Sequence, residues 1–156
     1  MAEADQFVVN QVEPLLQAGE SIRHFAYLTE TVDLSDRRIS NAIVAVLEGV
    51  SAFRTAARQR ACFIALSEAR AFFLWGKPGR VGAFRPLLEH EHIECWERNQ
   101  IDARVERLKP GEYFKKKLVL SFSSGERVAF ELKKRVAGMP GQVACINALL
   151  GRPTFW

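Results

Sequence analysis

No stretch of this 156-residue chain approaches the roughly 18–20 consecutive apolar residues that cross a bilayer as a helix, so no segment reads as a membrane span. Cysteine is scarce as well. The three at 62, 95 and 145 have no paired spacing, and their odd number argues against a disulfide framework. They read as small buried apolar residues. Phosphate-binding glycine loops are missing, and so is the G-x-S-x-G elbow of a serine hydrolase. The opening "MAEADQFVVNQVEP" is acidic and lacks the basic-then-apolar order of a secretory leader, so the expected compartment is the cytoplasm.

What is present suffices for one domain over residues 1–156. Hydrophobic residues make up 48% and charged residues 26%, enough for a core and against wholesale disorder. The net charge of +4 conceals an asymmetry: three Arg against eight acids over residues 1–50, but eleven Lys/Arg against five acids over 98–135. A basic half of this kind attracts anionic lipid, nucleic acid or an acidic partner, or is simply solvated surface.

Period divides the chain. Phe7, Val8, Val12, Leu15 and Leu16 fall near helical spacing, with Asp5 at an N-cap position, Pro14 disturbing the last turn and Gly19 ending it. In "SIRHFAYLTETV", Ile22, His24, Ala26 and Leu28 alternate with a mixed aromatic face, as in a strand. Residues 35–58 revert to helical steps through Ile39, Ile43, Val46, Leu47, Val50 and Phe53, which predicts a helical insertion. From residue 61 a β meander follows. "ACFIAL" and "RAFFLW" flank the turn "SEA", "GKPGRVGAFRP" is a loop, and "HEHIECWERNQI", "DARVERL", "FKKKLVLSF" and "ERVAFELKK" read as strands. The last two fix their own register. A three-residue loop, Ser123–Gly125, sets Leu120 opposite Val128 and Leu118 opposite Phe130, with Glu131 placed to pair with Lys117; a two-residue loop would exchange faces. Val143, Ile146, Leu149 and Leu150 line one side of a closing helix between Pro140 and Gly151.

The stretch "HEHIEC" at 90–95 holds two of the three histidines. On a strand His90, His92 and Glu94 share a face and Cys95 does not, so a closed zinc shell does not assemble there; a partly solvated face is the expectation. Ile93, Cys95 and the region near Trp96 are expected to face the core. No metal, no cofactor and no catalytic residue is assigned.

The order of elements resembles the bacterial pleckstrin-homology-like domains, including the short stress-response and GRAM-type variants, from about Leu16 to Leu150. The resemblance rests on "LQAGESI", "IALSEARAFFLW", "SFSSGERVAFEL" and "GQVACINALL". It implies a mainly β, α+β architecture: a bent antiparallel barrel or sandwich of about seven strands with a C-terminal capping helix. The N-terminal helix accompanies it, and the 35–58 helix is an insertion between the first and second strands. Arg37 and Arg38 open that insertion and Arg54, Arg58 and Arg60 close it, without the compact basic pattern of lipid-binding members.

The expected function is therefore a non-catalytic binding or assembly module, engaging a protein partner or a second copy of itself. The alternative is peripheral binding to an anionic membrane through Lys115, Lys116, Lys117, Lys133, Lys134 and Arg135, with Lys77, Arg80 and Arg85 as a second patch. A metal-dependent enzyme built on "HEHIEC" ranks below both. Nucleic-acid stacking on Trp75, Trp96 or Tyr113 also ranks low, because strand aromatics belong more often to a core. At the C-terminus Phe155 and Trp156 are expected to dock, since burying each is worth roughly 1.5–3 kcal/mol.

Overall fold

The computed structural model describes residues 3–30, 60–77, 92–107, 116–136 and 138–151. The 35–58 insertion, the loop from residue 78 to 86, His90 and the docking of Phe155 and Trp156 lie outside the described residues. Helix α1 spans Glu3–Val12 and runs into a 3-10 turn at Glu13–Leu15, where Pro14 sits in the first positions. Asp5 is therefore inside the helix and not its N-cap. Helix ends are set by hydrogen bonds that a side-chain pattern alone fixes only to within a residue or two.

Seven strands make two open antiparallel sheets. The first has the order β1 (His24–Thr29), β2 (Ala61–Leu66), β3 (Arg70–Gly76), β4 (His92–Glu97). The second has β5 (Ile101–Arg107), β6 (Lys116–Phe122), β7 (Arg127–Glu131), and helix α2 (Gln142–Leu150) follows. The sheets do not close into a barrel. β1 and β7 meet at a single bridge, Glu30 to Phe130, and among the described residues β4 and β5 do not pair. Of the expected barrel or sandwich, the described residues show two open sheets, consistent with the sandwich form.

The predicted strand from "HEHIEC" to Ile101 is interrupted. Arg98–Gln100 form a 3-10 turn, capped by reciprocal bonds between Glu97 and Gln100, and this turn carries the chain from one sheet to the other. The last hairpin has the predicted register. Leu118 faces Phe130, Leu120 faces Val128, and Gly125 closes the three-residue loop at φ 92°, a conformation that a side chain would strain.

Two apolar layers follow from the sequence. "ACFIAL" and "RAFFLW" are continuous apolar runs, and β2 and β3 are buried on both faces, as such runs require. Between the sheets lie Cys62, Ile64, Leu66, Phe73 and Trp75 with Leu118, Leu120, Phe122, Phe130, Cys145 and Ile146. On the outer face of the first sheet, Tyr27, Phe63, Phe72 and Leu74 pack with Val8 and Val12 of α1. Phe63 is central, 4.9 Å from the Tyr27 ring and 6.1 Å from Phe7. Ile22 precedes β1 and joins this outer layer, away from the Ala26–Leu28 face that strand alternation assigns it.

Candidate functional site

Backbone alternation decides which edges of the sandwich are open. In an antiparallel ladder, residues along one strand turn their N–H and C=O groups alternately toward and away from the neighbour. Tyr27 lies on the outward phase of β1. Its N–H donates to Gln142 Oε1 at 2.8 Å, and Gln142 Nε2 donates to its carbonyl at 2.8 Å. One buried amide side chain at the start of α2 thus supplies the two bonds that another strand would make at Tyr27, and the edge is capped there.

Among the described residues no comparable cap lies on β4 or β5. The Arg98 N–H donates to the Ala69 carbonyl at 2.8 Å, which fixes the phase of β4 and turns Ile93 and Cys95 outward. The Ser123 N–H donates to the Gln100 carbonyl at 2.9 Å, which turns Ile101, Ala103 and Val105 of β5 outward. The Ile101 N–H is taken by the Arg98 carbonyl. Among the described residues nothing accepts the N–H groups of Ala103 and Val105. Beside this edge runs a half-buried apolar strip: Trp96, Ile101, Ala103, Val105, Leu149 and Leu150. Arg98 braces its corner, donating to the Ala148 carbonyl at 2.6 Å and to the Ser67 carbonyl at 3.3 Å.

The basic residues singled out from the sequence do not form one free patch. Lys117 is only 4% exposed and lies 3.6 Å from Glu106, which also meets Arg104 at 2.9 Å and Arg127 at 3.1 Å. Lys117 and Glu131 are cross-strand partners as predicted, while Glu131 lies 3.8 Å from Lys133. Acids on the flanking strands account for this, since β5 brings Glu106 and β7 brings Glu131 opposite Lys117 of β6. Lys116 is partly buried; Lys134, Arg135 and Lys77 are exposed. Lys115, Arg80 and Arg85 lie outside the described residues.

The strand at 92–97 shows its other face to the core. Glu94 and Trp96 stand opposite Phe73 and Ala71, and the Trp96 ring packs 4.8 Å from Phe122. Cys95 is exposed and accepts from Arg70 Nη1 at 3.4 Å, whereas Cys62 and Cys145 are buried. Of the residues expected to face the core, Trp96 packs between the sheets and Ile93 against the outer layer, while Cys95 is exposed and Glu94 shares the Trp96 face. A lone alternating run carries no sign of which face is inner; the large indole at 96 decides it. Among the described residues no three His, Cys, Asp or Glu side chains group as ligands for an ion. Trp75 is buried between the sheets, stacked 5.7 Å from Phe130 with the Arg60 guanidinium 4.2 Å above it, so neither it nor Trp96 is splayed for a base.

Arg60 also makes a two-pronged pair with Glu30, at 2.8 and 3.1 Å, where the 31–59 segment leaves and rejoins the sheet. A cleft of about 270 Å³ lies between Gln17–Arg23 and the β2–β3 turn. Its charges are already matched, with Glu20 held by Arg70 and Ser67 and Arg23 lying 3.6 Å from Glu68. Sequence reasoning missed Arg98, Arg70 and Gln142. The Glu97-x-x-Gln100 spacing was a readable signal for the corner that places Arg98; a polar residue opening a helix carried none for Gln142.

No family model and no curated protein matches the chain. Among solved structures it is similar to the hSac2 domain from human phosphoinositide phosphatase Sac2, with 11% identity over 94% of this chain and 77% of that one and a TM-score of 0.51. It is also similar to the C-terminal domain of an unknown protein from Leishmania infantum, with 8% identity over 96% of this chain and 97% of that one and a TM-score of 0.49. At 11% identity the likeness to the hSac2 domain is one of fold alone. Among the described residues no helix is long and apolar enough to cross a membrane.

Proposed function

We propose that the chain is a non-catalytic binding module of pleckstrin-homology-like fold that takes up an extended protein segment by strand addition at β5. The observation that carries this reading is the contrast between edges. β1 is capped at Tyr27 by Gln142, while among the described residues nothing accepts the N–H groups of Ala103 and Val105 on β5, beside an apolar strip. Main-chain bonds would supply affinity and the strip would select side chains at alternate positions.

The test is a selection of extended peptides against the protein, followed by amide hydrogen exchange on the winners. Exchange at Ala103 and Val105 is expected to slow on binding, and Ala103→Pro to abolish it, since the proline removes an outward N–H that serves no internal bond. Protection confined to other parts of the surface would overturn the proposal.

Attachment to an anionic membrane is the second reading, supported by the exposed Lys134, Arg135 and Lys77 and by the basic excess over 98–135. The ion pairs of Lys117 and Lys133 count against it, because a paired lysine contributes little long-range field. Sedimentation with anionic vesicles that weakens as salt rises would favour it over strand addition.

A further inference from the structure

We infer that the segment added to β5 is β5 of a second copy of this chain, giving a two-fold dimer with one continuous six-stranded sheet; this rests on the strand-addition reading above. The argument is the pattern of "IDARVER" laid against itself. Only registers that bring outward residues opposite outward residues can bond, which restricts an antiparallel pairing to a few choices. Centred on Ala103, the pairing sets Ile101 opposite Val105 and Ala103 opposite Ala103 on the apolar side. On the charged side it sets Asp102 opposite Arg104, twice by symmetry.

The available groups fit this register. The Ala103 N–H of each copy would donate to the Ala103 carbonyl of the other, and the Val105 N–H to the Ile101 carbonyl. That makes four main-chain bonds; the Ile101 N–H, already given to the Arg98 carbonyl, leaves the Val105 carbonyl without its donor at each end of the pairing. Asp102 is exposed and has no partner in its own chain among the described residues, so the pairing would supply one. Centring on Arg104 instead puts Arg104 opposite Arg104 and Asp102 opposite Glu106, two repulsive arrangements. Centring on Val105 puts position 107, an arginine, opposite Ala103 on the apolar side. Edge charges ordinarily guard against association. Here their order along the strand is self-complementary in one register and repulsive in the next, which selects a specific pairing over indiscriminate stacking.

Light scattering on size-exclusion fractions over a range of concentrations reads the outcome. Wild-type protein is expected at twice the mass of one chain. Asp102→Arg sets the introduced arginine against Arg104 in a self-pair, and Arg104→Asp sets two aspartates against each other. Each variant alone should weaken the dimer at least about tenfold. Mixed together, one chain presents two arginines and the other two aspartates, so the mixture should recover a dimer of one copy of each. Among the described residues Asp102 supports nothing in its own chain, and Glu106 keeps Lys117 and Arg127 when Arg104 is changed, so both variants should melt near the wild type. A wild-type monomer overturns self-pairing, and so does a dimer indifferent to both reversals. A monomer whose Ala103 and Val105 amides are nonetheless protected by a selected peptide loses self-pairing and keeps strand addition.

Discussion

Arg70 draws together parts of the chain that are far apart in sequence. Its guanidinium bonds Glu20, donates to the Leu15 carbonyl at 3.0 Å, reaches Cys95 and lies 4.8 Å above the Phe72 ring. Glu20 also accepts from the Ser67 hydroxyl at 2.7 Å. These bonds, Arg70's first, hold the Glu20 carboxyl at about 2, against an ordinary 4.5. A depressed carboxyl stabilises the fold fully above its ordinary value and loses that contribution as pH falls through the folded value. Glu20→Gln should therefore cost about 2 kcal/mol near neutral pH. The gap between variant and wild type in thermal melts should close as pH falls from about 4.5 to about 2. A gap that stays constant across that window would show that the pair is not the source. Glu20 belongs to "LQAGESI" and Arg70 to "IALSEARAFFLW", so two stretches quoted for their family resemblance meet in one network. Their residue types were visible in sequence, but their meeting was not, because 50 residues separate them.

Among the elements, what was legible is what has a strong local period. The β6–β7 hairpin satisfies its apolar pattern in only one register, and the structure has that register. Gly125 stands at φ 92° with open space where a Cβ would go, so the cost of a side chain there is conformational rather than steric. Gly125→Val should destabilise the protein by about 1 kcal/mol or more, read as a lower urea midpoint with an unchanged slope. An unchanged midpoint would mean the loop adapts without cost. β2 and β3 were legible too, since an apolar run without alternation must be covered twice. β4 was not: six residues of mixed type leave the sign of the inner face undetermined until Trp96 meets Phe122. The turn at Arg98–Gln100 has its own mark in the sequence, the capping spacing of Glu97 and Gln100, which a strand reading through to Ile101 overlooks.

For the whole molecule, the mainly β order with helices at both ends was readable, and the openness of the sandwich was not. Whether seven strands close depends on β4 meeting β5 across a corner, and no periodicity encodes that distance. The same holds for Gln142. Its position at the head of α2 reads as surface, yet it is buried, bonding both backbone groups of Tyr27 and the Lys133 carbonyl at 3.3 Å. Gln142→Ala would strand those buried groups, at a cost of about 3 kcal/mol. Chemical denaturation reads this, and amide exchange at Tyr27 should speed up in parallel. Loss of stability without faster exchange at Tyr27 would place the effect elsewhere.

The seal on β1 also has a consequence for how the chain is born. Tyr27 and Gln142 are 115 residues apart, and a ribosome adds on the order of 5–20 residues each second. For something like ten seconds the nascent β1 exists without the amide that will cover it. Over that interval the N–H and C=O of Tyr27 lack the partner they have in the finished fold. Helix α2 therefore acts as a late shield for Tyr27, in place only once residue 142 has been made.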